Sequence, residues 1–104
     1  MTLAVHTTPE ADAQITAIDE WWRVNRLAAP DLFLEELAAS FETVARTPGI
    51  GRRYRRSPLP GTRRILLTRS RYHIYYTSSA RELVVLAVWH AQRGTGPDLI
   101  APSR

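Results

Sequence analysis

The chain has 104 residues, no cysteine and a net charge of +4. A length of this order supports one domain with a modest core and excludes two, and the lack of thiols excludes disulfides, thiolate metal sites and a cysteine nucleophile. The charge is divided: residues 1–42 hold two arginines against eight acids, a net −6, while residues 43–104 hold twelve arginines against two acids, a net +10. No lysine is present. The longest apolar run, Leu83 to Trp89, is far shorter than the roughly 20 residues of a membrane helix. Met1 to His6 lacks the basic start and apolar centre of a secretory signal, so a soluble cytoplasmic protein that does not engage a membrane is expected.

In chain order, Leu3 to Thr7 alternates weakly between apolar and polar residues and reads as a short strand. Thr8-Pro9-Glu10 offers an N-cap hydroxyl, a proline suited to the first helical turn and an acid against the helix dipole. A helix is therefore predicted up to about Arg26, with Ala11, Ile15, Ile18 and Trp22 on one stripe. Pro30-Asp31 starts a second helix, with Leu34, Leu37, Ala38, Phe41, Val44 and Ala45 on its apolar face, and Thr47-Pro48-Gly49 stops it. The short link predicts an antiparallel helical hairpin.

After Gly49 the pattern becomes extended and richer in β-branched and aromatic residues. Arg52 to Arg56 reads as a basic loop or edge strand, cut short by Pro58 and Pro60. Ile65–Thr68, Tyr72–Ser78 and Leu83–His90 read as three antiparallel strands. Because Leu83 to Trp89 is apolar on both faces, it is expected to be the central strand. The predicted class is α+β, ordered β-α-α-β-β-β, with a helical hairpin on a small, mainly antiparallel sheet. The domain covers residues 1–93, and residues 94–104 are expected to form a loosely ordered tail.

The second half carries the chemistry. If the strand is regular, Arg63 and Arg64 point to opposite faces, and Tyr72, Ile74 and Tyr76 oppose His73 and Tyr75. A strongly basic half suits an acidic partner or a polyanion. His6, His73 and His90 have no metal-ligand spacing, so neither metal nor cofactor is expected. His90, at a strand end, fits a hydrogen-bonded structural role as well as an acid–base one.

The element order, the turn Pro48-Gly49-Ile50-Gly51-Arg52, the pair Arg63-Arg64 after Gly61, Tyr72-x-Ile74-x-Tyr76 and the closing Val88-Trp89-His90-x-x-Arg93 together resemble the RelE/ParE superfamily of bacterial toxins, over residues 3 to 93. The resemblance implies a type II toxin neutralised by a ParD-like antitoxin in a hetero-oligomeric complex. Its ParE-like branch implies inhibition of DNA gyrase without catalysis, with Arg63, Arg64, His90 and Arg93 at the target surface. Its RelE-like branch implies a metal-independent, ribosome-dependent mRNA endoribonuclease. In that alternative His90 is acid or base, with Arg64 and Arg93 on the phosphate. Two departures weigh against the nuclease branch: His73 stands where such members carry a clamping arginine, and no tyrosine or histidine follows the last strand. Open sheet edges and a groove beside the hairpin would accept an antitoxin segment. Trp21, Leu27 and Leu32, off the core stripes, are expected in that groove, with Arg52, Arg53 and Arg55 matching the segment's acids.

Overall fold

The structure, a computed structural model, describes residues 2–92 and 94–102. Its elements are β1 (Ala4–Thr7), α1 (Pro9–Asn25), α2 (Leu32–Arg46), a 3-10 turn (Pro48–Ile50), β2 (Arg52–Arg53), β3 (Arg63–Leu67), β4 (Tyr72–Ser78) and β5 (Glu82–His90). The expected α+β order is present, and the arginine stretch contributes a two-residue edge strand. The five strands run in the order β1-β5-β4-β3-β2. β1 pairs with β5 in parallel and the other three pairs are antiparallel, so the sheet is mixed.

One expectation is corrected here. The middle of the sheet is β4 rather than Leu83–Trp89, because β1 returns to the outer edge of β5. Apolarity on both faces shows that a strand is interior, not which interior strand it is.

α1 begins where the capping chemistry placed it. The Thr8 hydroxyl accepts from the Ala11 N–H at 3.1 Å and lies 3.2 Å from the Leu86 carbonyl, to which it donates. That carbonyl belongs to a bulge: Tyr75 faces Ala87 and Tyr76 faces Val85, which leaves Leu86 without a partner in register. The Gln14 side-chain oxygen accepts from the Val88 N–H at 2.8 Å. One cap and one glutamine thus fix α1 across the last strand.

The helices cover one face of the sheet. Ala11 and Trp22 from α1, and Phe33, Leu37 and Val44 from α2, bury against Leu67, Ile74, Tyr76, Leu83, Val85 and Val88. The α2 stripe is turned relative to the sequence reading: Phe33 is fully buried while Ala38 is exposed. Phe33 meets the edge of the Tyr72 ring, with centroids 5.3 Å apart; the larger apolar area of the phenyl ring decides the rotation.

The opposite face has its own smaller cluster of Tyr75, Leu86, Ala87 and Leu99, flanked by Tyr54, Leu59, Val84 and Trp89. Leu99 is only 8% exposed, although no helix or strand forms between residues 94 and 102. The segment expected to be a loose tail therefore includes a packed anchor.

Two polar clamps hold the loops. Tyr76 Oη donates to the Pro48 carbonyl at 2.7 Å and accepts from the Gly51 N–H at 3.0 Å, which pins the turn after α2 to the middle strand. A Cβ on Gly51 would lie 2.5 Å from that hydroxyl and 2.9 Å from the Arg64 carbonyl, so no side chain fits. Glu36 of α2 accepts from the Arg69 N–H (2.8 Å), the Ser70 N–H (2.8 Å) and the Ser70 hydroxyl (2.7 Å), and so ties α2 to the β3–β4 turn.

Candidate functional site

Two clefts meet at Trp89 and His90, at the end of β5. The first, of about 810 Å³, lies between the second half of α1 and the β3–β4 turn; its walls include Ile18, Trp21, Trp22, Arg26, Arg69, Arg71 and Tyr72. The second, of about 490 Å³, lies on the face away from the helices and is lined by Arg52, Arg53, Tyr54, Arg55, Arg56, Arg64, His73 and Tyr75. No carboxylate lines either cleft among the described residues.

The first cleft is built from aromatic and guanidinium groups. Trp21 and Trp22 meet edge to face at 6.0 Å, and the Arg26 guanidinium lies 4.9 Å from the Trp21 ring and 5.7 Å from the Trp22 ring. Trp21 is 45% exposed, whereas Trp22 is buried and its Nε1–H has no hydrogen-bond acceptor among the described residues. A buried donor left unpaired costs about 1–3 kcal/mol. Arg71 holds a left-handed backbone, φ 68°, unfavourable for a residue with a side chain. The left-handed Arg71 closes the β3–β4 turn, where its N–H donates to the Leu67 carbonyl at 2.8 Å, whereas packing does not account for the unpaired Trp22 donor.

Arg64 organises the second cleft. Its guanidinium lies 5.3 Å from the Tyr54 ring and donates to Tyr75 Oη at 3.4 Å, while Tyr54 and Tyr75 meet edge to face at 4.8 Å. Burial first, and then the charges of Arg64 and Arg71, push the His73 imidazole below its ordinary pKa, so it is neutral near pH 7. His90 sits between the clefts, half-buried, with its ring 5.1 Å from Tyr72. Its Nδ1 accepts from the Gln92 N–H at 3.1 Å, which in the neutral ring leaves the proton on Nε2.

These positions divide the residues named from sequence. Arg64 and His90 share the second cleft, but Arg63 does not line it; it donates to the Gly51 carbonyl at 2.7 Å and holds the turn after α2. Arg93 lies outside the described residues. Arg52, Arg53 and Arg55 line the second cleft and Trp21 the first, so the groove expected to unite them is two clefts. Leu27 is 79% exposed, whereas Leu32 is half-buried against the core beneath the helices. Sequence reasoning missed Arg26 and Tyr54, and read Arg71 only as one of a basic run from Arg52 to Arg71. The spacing of Arg26 from Trp22, i to i+4 on a helix, was a usable signal; Arg71 and Tyr54 reach their clefts through turns that carry no periodicity.

A search of curated proteins finds no match. A solved chain of the chromosomal ParDE TA system from P. aeruginosa superposes with a TM-score of 0.63 at 21% identity, over 88% of this chain and 98% of that one, a likeness of fold. The family model for the ParE toxin of the type II toxin-antitoxin system, parDE, matches residues 5–94. Since that match begins within β1 and runs beyond β5, through every helix, strand and cleft wall described above, the chain belongs to the ParE toxin family.

Proposed function

We propose that this chain inhibits DNA gyrase by binding it, with no catalytic step of its own, and that a ParD-like antitoxin neutralises it in a hetero-oligomeric complex. The observation that carries the choice of binding over cleavage is the hydrogen bond at His90 Nδ1. With Nδ1 engaged by the Gln92 N–H, a neutral His90 carries its proton on Nε2, where it suits an acid but not the base that draws a proton from a ribose hydroxyl. Gyrase inhibition asks only for a complementary surface, and the arginine cleft supplies one that is cationic and already ordered by Arg64, Tyr54 and Tyr75. The first cleft suits the antitoxin: Trp21 and Ile18 give apolar contact, with the exposed Leu27 nearby in sequence, and Arg26, Arg69 and Arg71 match acids.

One arrangement favours a second reading, ribosome-dependent mRNA cleavage. Arg64, His73 and His90 line a single cleft, and His73 is held in the neutral form that a general base requires. A supercoiling assay with purified gyrase, increasing amounts of this chain and the antitoxin encoded beside it separates the two. Dose-dependent loss of supercoiling, relieved by antitoxin, supports the first reading. Unaffected gyrase together with cleaved transcripts in a translating extract overturns it.

A further inference from the structure

The outer edge of the sheet has a charge arrangement that packing does not account for. β2 meets β3 through two rungs only, Arg52 opposite Arg64 and Arg53 opposite Arg63. Both are like-charge pairs directly across a ladder, which weaken a sheet. Arg55 and Arg56 follow at once, and Arg52, Arg53, Arg55 and Arg56 are all exposed. Ion pairs among the described residues involve His6 with Glu82 and Arg23 with Asp19 and Asp31; none relieves this edge. Arg63 is accounted for by the Gly51 carbonyl. The other five arginines all line the cleft of about 490 Å³.

We propose that this cleft binds the phosphate backbone of a single nucleic-acid strand. Five arginines lining one cleft call for an anion with several charges along its length, and the planar fork of arginine matches phosphate oxygens in pairs. An acidic peptide is a poorer fit. It would have to add to β2, yet β2 is two residues long, both arginine, and the chain then turns through Pro58 and Pro60; short, charged edges of this kind resist strand addition. The exposed large apolar side chains that would anchor a peptide are Trp21, Val24, Leu27, Ile50 and Ile100, and none lines this cleft. A single strand, whose backbone bends more easily than that of a duplex, can bring its phosphates into a cleft of about 490 Å³. There Arg64 is held in place by Tyr54 and Tyr75. His73 lines the same cleft, and an imidazole ring is a group on which a base can stack. The inference stands on the cleft alone and is independent of gyrase.

The test uses fluorescence anisotropy of a labelled oligothymidylate of about 12 nucleotides, titrated with the purified chain from about 50 to 300 mM salt. Saturable binding is expected. The logarithm of the association constant should fall linearly with that of salt, with a slope of about −2 to −3, the mark of three or four neutralised phosphates at about 0.7 each. The variant R55Q/R56Q should lose about tenfold in affinity and about 1.4 of that slope. The variant R46Q/R81Q removes the same charge from positions outside the cleft and should stay within about twofold of the parent. Circular dichroism melts confirm that both variants are folded. The proposal is overturned by absence of saturable binding at the lowest salt, by equal losses in the two variants, or by displacement of the oligonucleotide by duplex DNA or polyglutamate at lower charge concentration than by unlabelled oligothymidylate.

Discussion

Glu36 offers the sharpest test of how the fold is held, because one side chain joins α2 to the β3–β4 turn. It accepts three hydrogen bonds, at 2.8, 2.8 and 2.7 Å. Replacing it with glutamine keeps the shape but leaves one acceptor for three donors and turns an amide N–H toward the turn. Hydrogen bonds to a charged group contribute about 1.5–3 kcal/mol net, and a stranded donor costs in the same range. A loss of about 2 kcal/mol for Glu36→Gln follows, which lowers the melting temperature of a domain this size by about 10 °C. Burial alone would push the carboxyl pKa up. The Ser70 hydroxyl, the Arg69 and Ser70 N–H groups and the Arg69 charge outweigh burial, so the carboxyl titrates below its ordinary value. A depressed carboxyl contributes stability that is full above the unfolded pKa, about 4.3. That contribution fades as pH falls through the folded pKa. The gap between parent and E36Q should thus be full at about pH 7 and much reduced at about pH 2.5. Melts followed by circular dichroism check this. Equal melting temperatures at neutral pH, or a gap of the same size at both pH values, would refute the reasoning.

Other outcomes follow from the same contacts. Tyr76→Phe removes the bonds to Pro48 and Gly51 and should cost about 1–2 kcal/mol in urea unfolding. Gly51→Ala, which drives a Cβ into the Tyr76 hydroxyl and the Arg64 carbonyl, should cost at least as much, about 2–4 kcal/mol. Arg63→Ala should lower stability by about 1 kcal/mol through the loss of its bond to the Gly51 carbonyl; Arg64→Ala should instead raise the concentration needed for half-inhibition of gyrase by about tenfold or more, with a smaller change in melting. Trp21→Ala, at a side chain 45% exposed, should weaken antitoxin binding by about tenfold in calorimetry while shifting the melting temperature by less than about 3 °C.

The fold was legible where one local signal had no rival. Thr8-Pro9-Glu10 starts α1, and Pro48-Gly49 ends α2 in a 3-10 turn. Tyr72, Ile74 and Tyr76 share a face by simple alternation, and β4 keeps it. The readings that shifted depended on distant partners. Which interior strand is the middle one depends on where β1 docks, 78 positions from the Leu86 carbonyl that Thr8 grips. The rotation of α2 toward Phe33 depends on Tyr72, across the core. At the site, composition revealed that the second half is basic, but alternation could not say that Arg63 would spend its guanidinium on a neighbouring carbonyl while Arg64 faces a cleft. The left-handed Arg71 and the packed Leu99 sit in turns and irregular chain, where neither helical nor strand period applies.

The parallel pairing of β1 with β5 sets a timetable. Ala4 lies opposite Glu82 and Thr7 opposite Val85, so the first strand synthesised must wait, unpaired, for the last. Gln14 likewise finds its partner only at Val88, 74 positions on. Closing a loop of that length is slow compared with forming a helix or hairpin. The helices α1 and α2 and the β3–β4 hairpin can therefore assemble early, whereas neither cleft is complete until β5 is in place, because Trp89 and His90 form a wall of both. Whatever either cleft binds must therefore wait for the pairing with the longest reach along the chain, and a variant that slows that pairing delays both clefts together.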